Sequence, residues 1–192
     1  MTPALPLARW IRFTFVGWSI GFALVLLFIA ISGSIGLGST QSPIGLGMGL
    51  GVGLGQRRLL RDYLAGITGW LGGTALSLTA PFLVTDVARP LGLDIRYSLA
   101  WTVIVGGVLV AVVQWRLLRP HLGKAGWWIP ASIIGWAGAG GTVLFNDRML
   151  PRIPGILGAL IYVAIILGGG VILGAATGVV LRRLPRLAGA AV

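Results

Sequence analysis

The sequence predicts an all-α integral membrane protein with six transmembrane helices, arranged as three repeated helical hairpins with pseudo-threefold symmetry. Two observations predict this class. Hydrophobic residues make up 56% of the 192 residues and charged residues only 10%, against about a quarter charged in soluble domains. Two short motifs also alternate three times along the chain. Lipid must therefore cover much of the surface, and we expect a single membrane domain.

The first motif is a helical phrase that ends in Leu-Arg. It reads small-x3-small-x2-polar-x3-Leu-Arg without gaps, and its polar residue is Gln, Gln or Thr. The polar residue lies three and seven positions after the small ones, so all three share a helical face. Small residues let membrane helices approach closely, so we predict helix packing there. The three copies are Gly49, Gly53, Gln56 and Arg61; Gly107, Ala111, Gln114 and Arg119; Gly170, Gly174, Thr177 and Arg182.

The second motif is Gly-Trp-x-x-small, with its tryptophan at Trp18, Trp70 and Trp136. It alternates strictly with the first motif. Fixed-period self-similarity indicates a repeat architecture. We expect repeat units at residues 10–61, 62–119 and 125–183, and a disordered tail at 184–192.

The first helix is expected at residues 13–31. Arg9 and Arg12 precede this apolar run, as in a signal peptide. The run of 19 residues is longer than a usual signal core, so we interpret it as a retained helix.

The second helix is expected to begin near Pro43, which suits a first helical turn. Its glycines occupy alternate positions, which imitates a strand, but a lone strand cannot satisfy its backbone in lipid. On a helix these glycines form two opposite stripes. The apolar part, residues 43–55, is short, so the helix either continues to about Leu60 or is re-entrant. We favour continuation. The remaining four helices are expected at residues 65–85, 98–118, 127–145 and 155–181.

Charge predicts the orientation. Eleven Arg and Lys residues fall on one side of the six predicted helices with only Asp62, against four Arg and three Asp on the other. Cationic loops stay in the cytoplasm. Both termini are therefore expected in the cytoplasm, in a bacterial inner membrane. The same rule accounts for the net charge of +11 without nucleic acid.

Three sets of residues are candidate sites. The polar residues of the first motif (Gln56, Gln114 and Thr177) are expected at one level, as packing contacts, a polar constriction or a head-group site. The motif arginines (Arg61, Arg119 and Arg182) are expected to contact anionic lipid head groups or only to anchor the helices. Trp18, Trp70 and Trp136 are expected to be interfacial anchors or wedges between helices, and Trp127 and Trp128 are expected to form an aromatic belt.

Nothing in the sequence indicates catalysis. Cysteine and glutamate are absent, His121 is the only histidine, and the four aspartates fall in predicted loops. A buried acid for proton relay or a set of metal ligands is therefore not expected. We predict no enzyme activity, no metal and no cofactor.

The phrase Gln114-Trp-Arg-Leu-Leu-Arg119 and the helix beginning Gly126-Trp-Trp resemble a group of uncharacterised bacterial multi-pass membrane proteins. These repeat Gly-x-x-Gln-Trp-x-x-Leu-Arg followed by a Trp-Trp or Gly-Trp helix. The resemblance covers most of residues 10–183, although only the middle unit matches fully. It implies a multi-pass membrane fold and no particular activity.

Two functions remain. The first is an accessory or structural subunit of a larger membrane complex, or a self-associating protein, that packs through its glycine-rich faces. The alternative is a small carrier, channel or lipid-binding protein that uses the polar level at Gln56, Gln114 and Thr177.

Overall fold

The computed structural model describes residues 5–64, 67–93, 99–149, 153 and 155–187. Within these residues the chain is helical and contains no strand. A short 3-10 turn, Ala125–Trp127, precedes the fifth helix. The helices are α1 Leu7–Ser34, α2 Ser42–Leu60, α3 Trp70–Ala88, α4 Leu99–Leu118, α5 Trp128–Met149 and α6 Gly155–Leu181.

Five of the described helices are long and apolar enough to cross a membrane. The exception is α2, whose 19 residues include six glycines and two arginines. It is nevertheless one continuous helix that runs through Gln56 to Leu60, as we predicted. The helix content and these five segments are what a multi-pass membrane protein requires.

Several helix boundaries differ from the sequence-based expectation. α1 extends beyond both predicted ends and is 28 residues long. α3 starts at Trp70 and not at residue 65, because Gly69 has a left-handed backbone with φ of 78°. α5 continues past its predicted end to Met149. Asn146 therefore lies in a helix and not in a loop. Three charged residues of the predicted loops, Asp94, Arg96 and Arg152, lie outside the described residues.

The start of α2 is held by a residue from α3. Each oxygen of the Asp86 carboxylate accepts a hydrogen bond at 2.7 Å, one from the Gln41 N–H and one from the Ser42 N–H. Arg89 also donates to the Ser39 carbonyl at 2.9 Å. The first N–H groups of a helix lack partners within it, so a carboxylate there stabilises the start. Asp86 thereby fixes the connection between α1 and α2.

The six helices form a closed ring in chain order. Each helix packs along the next, and α6 packs on α1. Neighbouring helices are antiparallel: a Cβ atom on Gly17 would lie 3.0 Å from Gly55 Cα, and one on Gly21 would lie 3.0 Å from Met48 Cα. The even-numbered helices therefore run in the same direction. We call the end at which they finish the Arg end, because Arg61, Arg119 and Arg182 follow their last residues.

Both glycine stripes of α2 are used inside this ring. A Cβ atom on Gly45 would lie 2.7 Å from Thr79 Cα of α3, and one on Gly49 would lie 2.6 Å from Ala75 Cα. On the opposite side, Gly51 contacts the backbone of Gly21 in α1. Only glycine permits such close backbone contact on two faces at once.

The segment after α6 folds back on the connection between α4 and α5. The Gly123 N–H donates to the Pro185 carbonyl at 2.7 Å, and the Leu187 N–H donates to the His121 carbonyl at 3.0 Å. Leu184 is buried. Main-chain hydrogen bonds therefore tie Pro185 and Leu187, in the segment expected to be a disordered tail, to this connection. Residues 188–192 lie outside the described part of the chain.

Candidate functional site

The two predicted glutamines meet inside the helix ring. Gln114 donates from Nε2 to Gln56 Oε1 at 3.3 Å and to Thr74 Oγ1 at 2.9 Å. Gln56 Oε1 also accepts a hydrogen bond from the Trp70 indole at 3.3 Å. Both glutamines are 1% exposed. They form one buried network that joins α2, α3 and α4.

Thr177 lies at the same depth but has different partners. Its hydroxyl accepts a hydrogen bond from the Trp10 indole at 2.9 Å and donates to the Leu173 carbonyl at 2.6 Å. The structure brings the two glutamines into direct contact, whereas Thr177 ties α6 to α1. A threonine side chain is shorter than a glutamine side chain, so Thr177 bonds within its own helix and to one neighbour.

Sequence reasoning missed four residues of the odd-numbered helices that complete this layer: Trp10, Thr14, Thr74 and Ser132. A tryptophan followed four positions later by a hydroxyl residue occurs at the start of each of these helices. Thr74 contributes the hydroxyl that Gln114 reaches. The pattern Trp-x3-Thr/Ser could have been found in the sequence. We call the following nine residues the polar layer: Trp10, Thr14, Gln56, Trp70, Thr74, Gln114, Trp128, Ser132 and Thr177.

Four of the five tryptophans expected at the membrane interface are buried inside the ring. Trp18, Trp70, Trp128 and Trp136 are at most 4% exposed, whereas Trp127 is 65% exposed. The wedge alternative describes Trp18, Trp70 and Trp136. Of the two residues of the expected aromatic belt, Trp128 lies inside the ring and only Trp127 is exposed. The reason is that six helices around one axis leave space that only large side chains fill.

These tryptophans form two groups. Trp128 packs between Trp10 and Trp70, with centroid distances of 6.1 Å and 5.8 Å. Trp18 and Trp136 form a second pair, 5.8 Å apart and two helical turns deeper. Trp70 therefore belongs with Trp10 and Trp128. The predicted equivalence of Trp18, Trp70 and Trp136 had the wrong register for α3.

The small residues of the first motif receive these bulky neighbours. Gly107 contacts the Cβ atom of Trp136, and a Cβ on Gly170 would lie 2.6 Å from Trp18 Cβ. A Cβ atom on Gly174 would lie 2.9 Å from Ile11 Cα. Ala111 is fully buried. Gly53 is less crowded, because a Cβ there would lie 3.2 Å from the end of the Leu71 side chain.

The motif arginines lie on the surface of the Arg end. Arg61, Arg119 and Arg182 are all exposed. The Arg119 guanidinium lies 5.9 Å from the centre of the Trp115 indole, within the range of a cation–π contact. Three exposed guanidinium groups at one end of the ring can reach phosphate groups at a membrane surface.

A cavity of about 250 Å³ lies between the helices, beyond the polar layer and away from the Arg end. Trp18, Leu78 and Trp136 separate it from the polar layer. The lining side chains are almost all aliphatic or aromatic, and they include Phe22, Phe82 and Tyr162. The Trp18 indole N–H is already bonded to the Ile166 carbonyl at 2.8 Å. This wall favours a hydrocarbon ligand over a polar one.

The cavity reaches the surface beside α1. Two of its lining residues, Leu26 and Ile29, are exposed by 56% and 42% respectively. Both belong to the last third of α1, one of the five apolar membrane-length helices. A hydrocarbon chain in the surrounding lipid would therefore meet an apolar opening.

Among the described residues, no three His, Cys, Asp or Glu side chains lie close enough to hold a metal ion. Comparison with known proteins gave no match among protein-family models, curated proteins or solved structures.

Proposed function

We propose that the protein is a non-catalytic, multi-pass protein of the bacterial inner membrane that binds one hydrocarbon chain of a lipid or isoprenoid in its central cavity. The observation that carries this proposal is the apolar cavity with its exposed edge at Leu26 and Ile29. An apolar cavity of about 150 Å³ already holds benzene. A cavity of about 250 Å³ has room for a longer hydrocarbon segment.

The proposed orientation places both termini and the Arg end in the cytoplasm. The charge asymmetry of the sequence supports it. Arg61, Arg119 and Arg182 would then face the anionic leaflet, where each basic residue contributes about 1 kcal/mol of attraction. In this proposal the three helical hairpins are repeats, and the polar layer serves as a packing contact. Its two glutamines are buried and bonded to neighbouring side chains, which supports that role.

An accessory subunit of a larger complex remains the competing prediction. One ground for it is that glycine-rich helix faces can pack against other subunits. The glycine stripes of α2 lie against α1 and α3 of the same chain. The glycines of α2 therefore offer no surface to a second protein, which supports the lipid-binding proposal over this competing one.

Filling the cavity tests the proposal. Val103 lines the cavity, and Val105 is 50% exposed on the outside of the same helix. We expect Val103→Phe to weaken binding of a fluorescent polyene fatty acid at least tenfold, because the new side chain occupies the space of the ligand. The matched change Val105→Phe should leave binding unaltered.

The measurement is energy transfer from tryptophan to the polyene, made on protein purified in mild detergent. Native mass spectrometry of the same sample should detect bound lipid or isoprenoid. Equal binding by both variants would refute the cavity as the site. Another polypeptide that co-purifies in fixed ratio, together with no bound lipid, would favour the accessory subunit.

A further inference from the structure

Hydrogen bonds of one kind connect three of the six neighbouring helix pairs in the polar layer. In each, an indole or amide N–H donates to a side-chain oxygen on the next helix, joining α2 to α3, α3 to α4, and α1 to α6. These bonds run from Trp70 to Gln56 at 3.3 Å, from Gln114 to Thr74 at 2.9 Å and from Trp10 to Thr177 at 2.9 Å.

The other three helix pairs carry the same kinds of residues at the same depth. Gly55 of α2 contacts Phe13 of α1, which brings the adjacent Gln56 and Thr14 to one level. Gly107 of α4 contacts Trp136 of α5. Gln114 lies two turns after Gly107 and Trp128 lies two turns before Trp136, so in these antiparallel helices the two residues come opposite each other.

The third pair follows from the packing of α5 on α6. A Cβ atom on Gly135 would lie 3.3 Å from Leu173 Cα. One turn further along each antiparallel helix, Ser132 comes opposite Thr177. All six pairs of neighbouring helices therefore bring polar side chains together in one layer.

Three atoms of the polar layer are buried without a hydrogen-bond partner: Thr14 Oγ1, Trp128 Nε1 and Ser132 Oγ. Arg57 Nε on α2 is also without one, but it does not belong to the polar layer. All three residues are 0% exposed. Each stands opposite one of the three sequence-predicted polar residues. The unpartnered atoms thus mark the three helix pairs at which the layer has no direct hydrogen bond.

Two of the opposite residues, Thr177 and Gln114, direct their own hydrogens elsewhere. The Thr177 hydroxyl donates to the Leu173 carbonyl at 2.6 Å and has no second hydrogen for Ser132. The Gln114 amide nitrogen is directed at Gln56 and Thr74, on the side of α4 away from α5. In the described structure no direct hydrogen bond is made to Thr14 Oγ1, Trp128 Nε1 or Ser132 Oγ.

We propose that bound water completes the polar layer at these three helix pairs. A buried polar group without a partner is costly, and buried water is the usual partner where two or more such groups converge. An indole N–H can only donate, so the species beside Trp128 must accept a hydrogen bond, which excludes a metal cation. The hydroxyls of Thr14 and Ser132 both donate and accept. Water satisfies all three atoms without placing an uncompensated charge in the core.

The first test observes the water directly. Protein labelled with ¹⁵N at the tryptophan indoles is examined by NMR for magnetisation transfer from water to the indole protons. We expect transfer to the Trp128 indole and little to Trp10, which donates to Thr177. Trp128→Phe assigns the resonance. No transfer to Trp128 in a spectrum that resolves it would overturn the proposal.

The second test measures melting temperature in detergent. Thr14→Val and Ser132→Ala each remove one unpartnered hydroxyl with little change of shape. If water is bound, the melting temperature should stay level or fall by a few degrees, because a made hydrogen bond is lost. If these atoms are dry, removing them should raise it by several degrees, which would refute the inference.

Two controls keep the second test decisive. Thr74→Val should lower the melting temperature, because the Thr74 hydroxyl bonds both Gln114 and the Trp70 carbonyl. That result shows that the measurement reports on this layer. The unsubstituted protein is also melted in sulfate and in chloride at constant ionic strength. A higher melting temperature in chloride would indicate an anion, and not water, at Trp128. Neither control depends on the proposed cavity ligand.

Discussion

Close packing between α2 and α3 gives a graded prediction for single alanine substitutions. A Cβ atom on Gly49 would lie 2.6 Å from Ala75 Cα, and the obstacle is backbone. Carbon atoms pack at about 3.5–4.0 Å, so Gly49→Ala must separate the two helices by about 1 Å. At Gly53 a Cβ atom would lie 3.2 Å from the end of the Leu71 side chain and 3.3 Å from the Leu71 Cα and carbonyl oxygen. A Cβ atom on Gly168 would have no heavy atom of another helix within 4 Å.

The expected magnitudes follow from these distances. Overpacking costs about 1–3 kcal/mol, and for a chain of this size each kcal/mol shifts the melting temperature by about 2–4 °C. Gly49→Ala should therefore lower it by about 2–12 °C. Gly53→Ala should lower it less, because the nearest atoms lie at least 3.2 Å from the added Cβ and a shift of a few tenths of an ångström accommodates it. Gly168→Ala should leave it level or raise it slightly, since alanine is about 1 kcal/mol better than glycine in a helix.

The assay is thermal unfolding of the detergent-solubilised protein, followed by circular dichroism and by retention on size-exclusion chromatography. The order Gly49, then Gly53, then Gly168 is what tests the reasoning. Three equal melting temperatures would show that backbone contact between α2 and α3 does not limit stability. A larger loss at Gly168 than at Gly49 would contradict the described packing itself.

Three further predictions concern hydrogen bonds and orientation. Gln56→Met should cost about 1–3 kcal/mol of stability and lower the melting temperature more than Gln114→Leu does. The reason is that Gln56 Oε1 accepts hydrogen bonds from two donors, Trp70 and Gln114. The reverse order of melting temperatures would contradict the described network. Asp86→Ala should destabilise the start of α2 by about 1 kcal/mol and speed amide hydrogen exchange there, by removing both carboxylate contacts; unchanged exchange would exclude that role. A cysteine at exposed Ser39 should react with an impermeant maleimide in intact cells and one at Lys124 only after lysis; the opposite pattern would refute the proposed orientation.

The local features of the fold were largely predictable from the sequence. Length and hydropathy predict the helices, and the ends of α2 and α6 follow from Pro43 and from the Leu-Arg phrases. The start of α3 was not predictable in the same way, whereas α5 starts at Trp128, next to the predicted residue 127. α3 begins where Gly69 adopts a left-handed backbone. α5 follows a 3-10 turn, before which Lys124 has a φ of 55°. Such choices depend on the packing of the connections and not on periodicity.

The candidate site was predicted only in part. Gln56 and Gln114 stand out because a polar residue in an apolar helix needs a buried partner. Their partners on the odd-numbered helices do not stand out, because a threonine can bond its own helix backbone and is common in membrane helices. Thr74 does both, donating to the Trp70 carbonyl and accepting from Gln114. The cavity was not predictable at all, since its walls are ordinary apolar residues from six separate segments.

At some positions the repeated segments of the sequence carry side chains of different size. These differences determine where the interior of the ring is filled by side chains and where a cavity remains. α1 and α5 each place a second tryptophan eight residues after the first, whereas α3 has Leu78 at that position. Trp18 and Trp136 already contact each other there. A third indole would have to share their space, so the smaller leucine allows the layer to close below the cavity. Thr177 is likewise smaller than Gln56 and Gln114, which occupy the same motif position. Its short side chain leaves Ser132 without a direct partner. Three identical segments would place three indoles at the level of Trp18 and Trp136 and leave no room for the cavity beside it. The residues that depart from the motif therefore shape the interior.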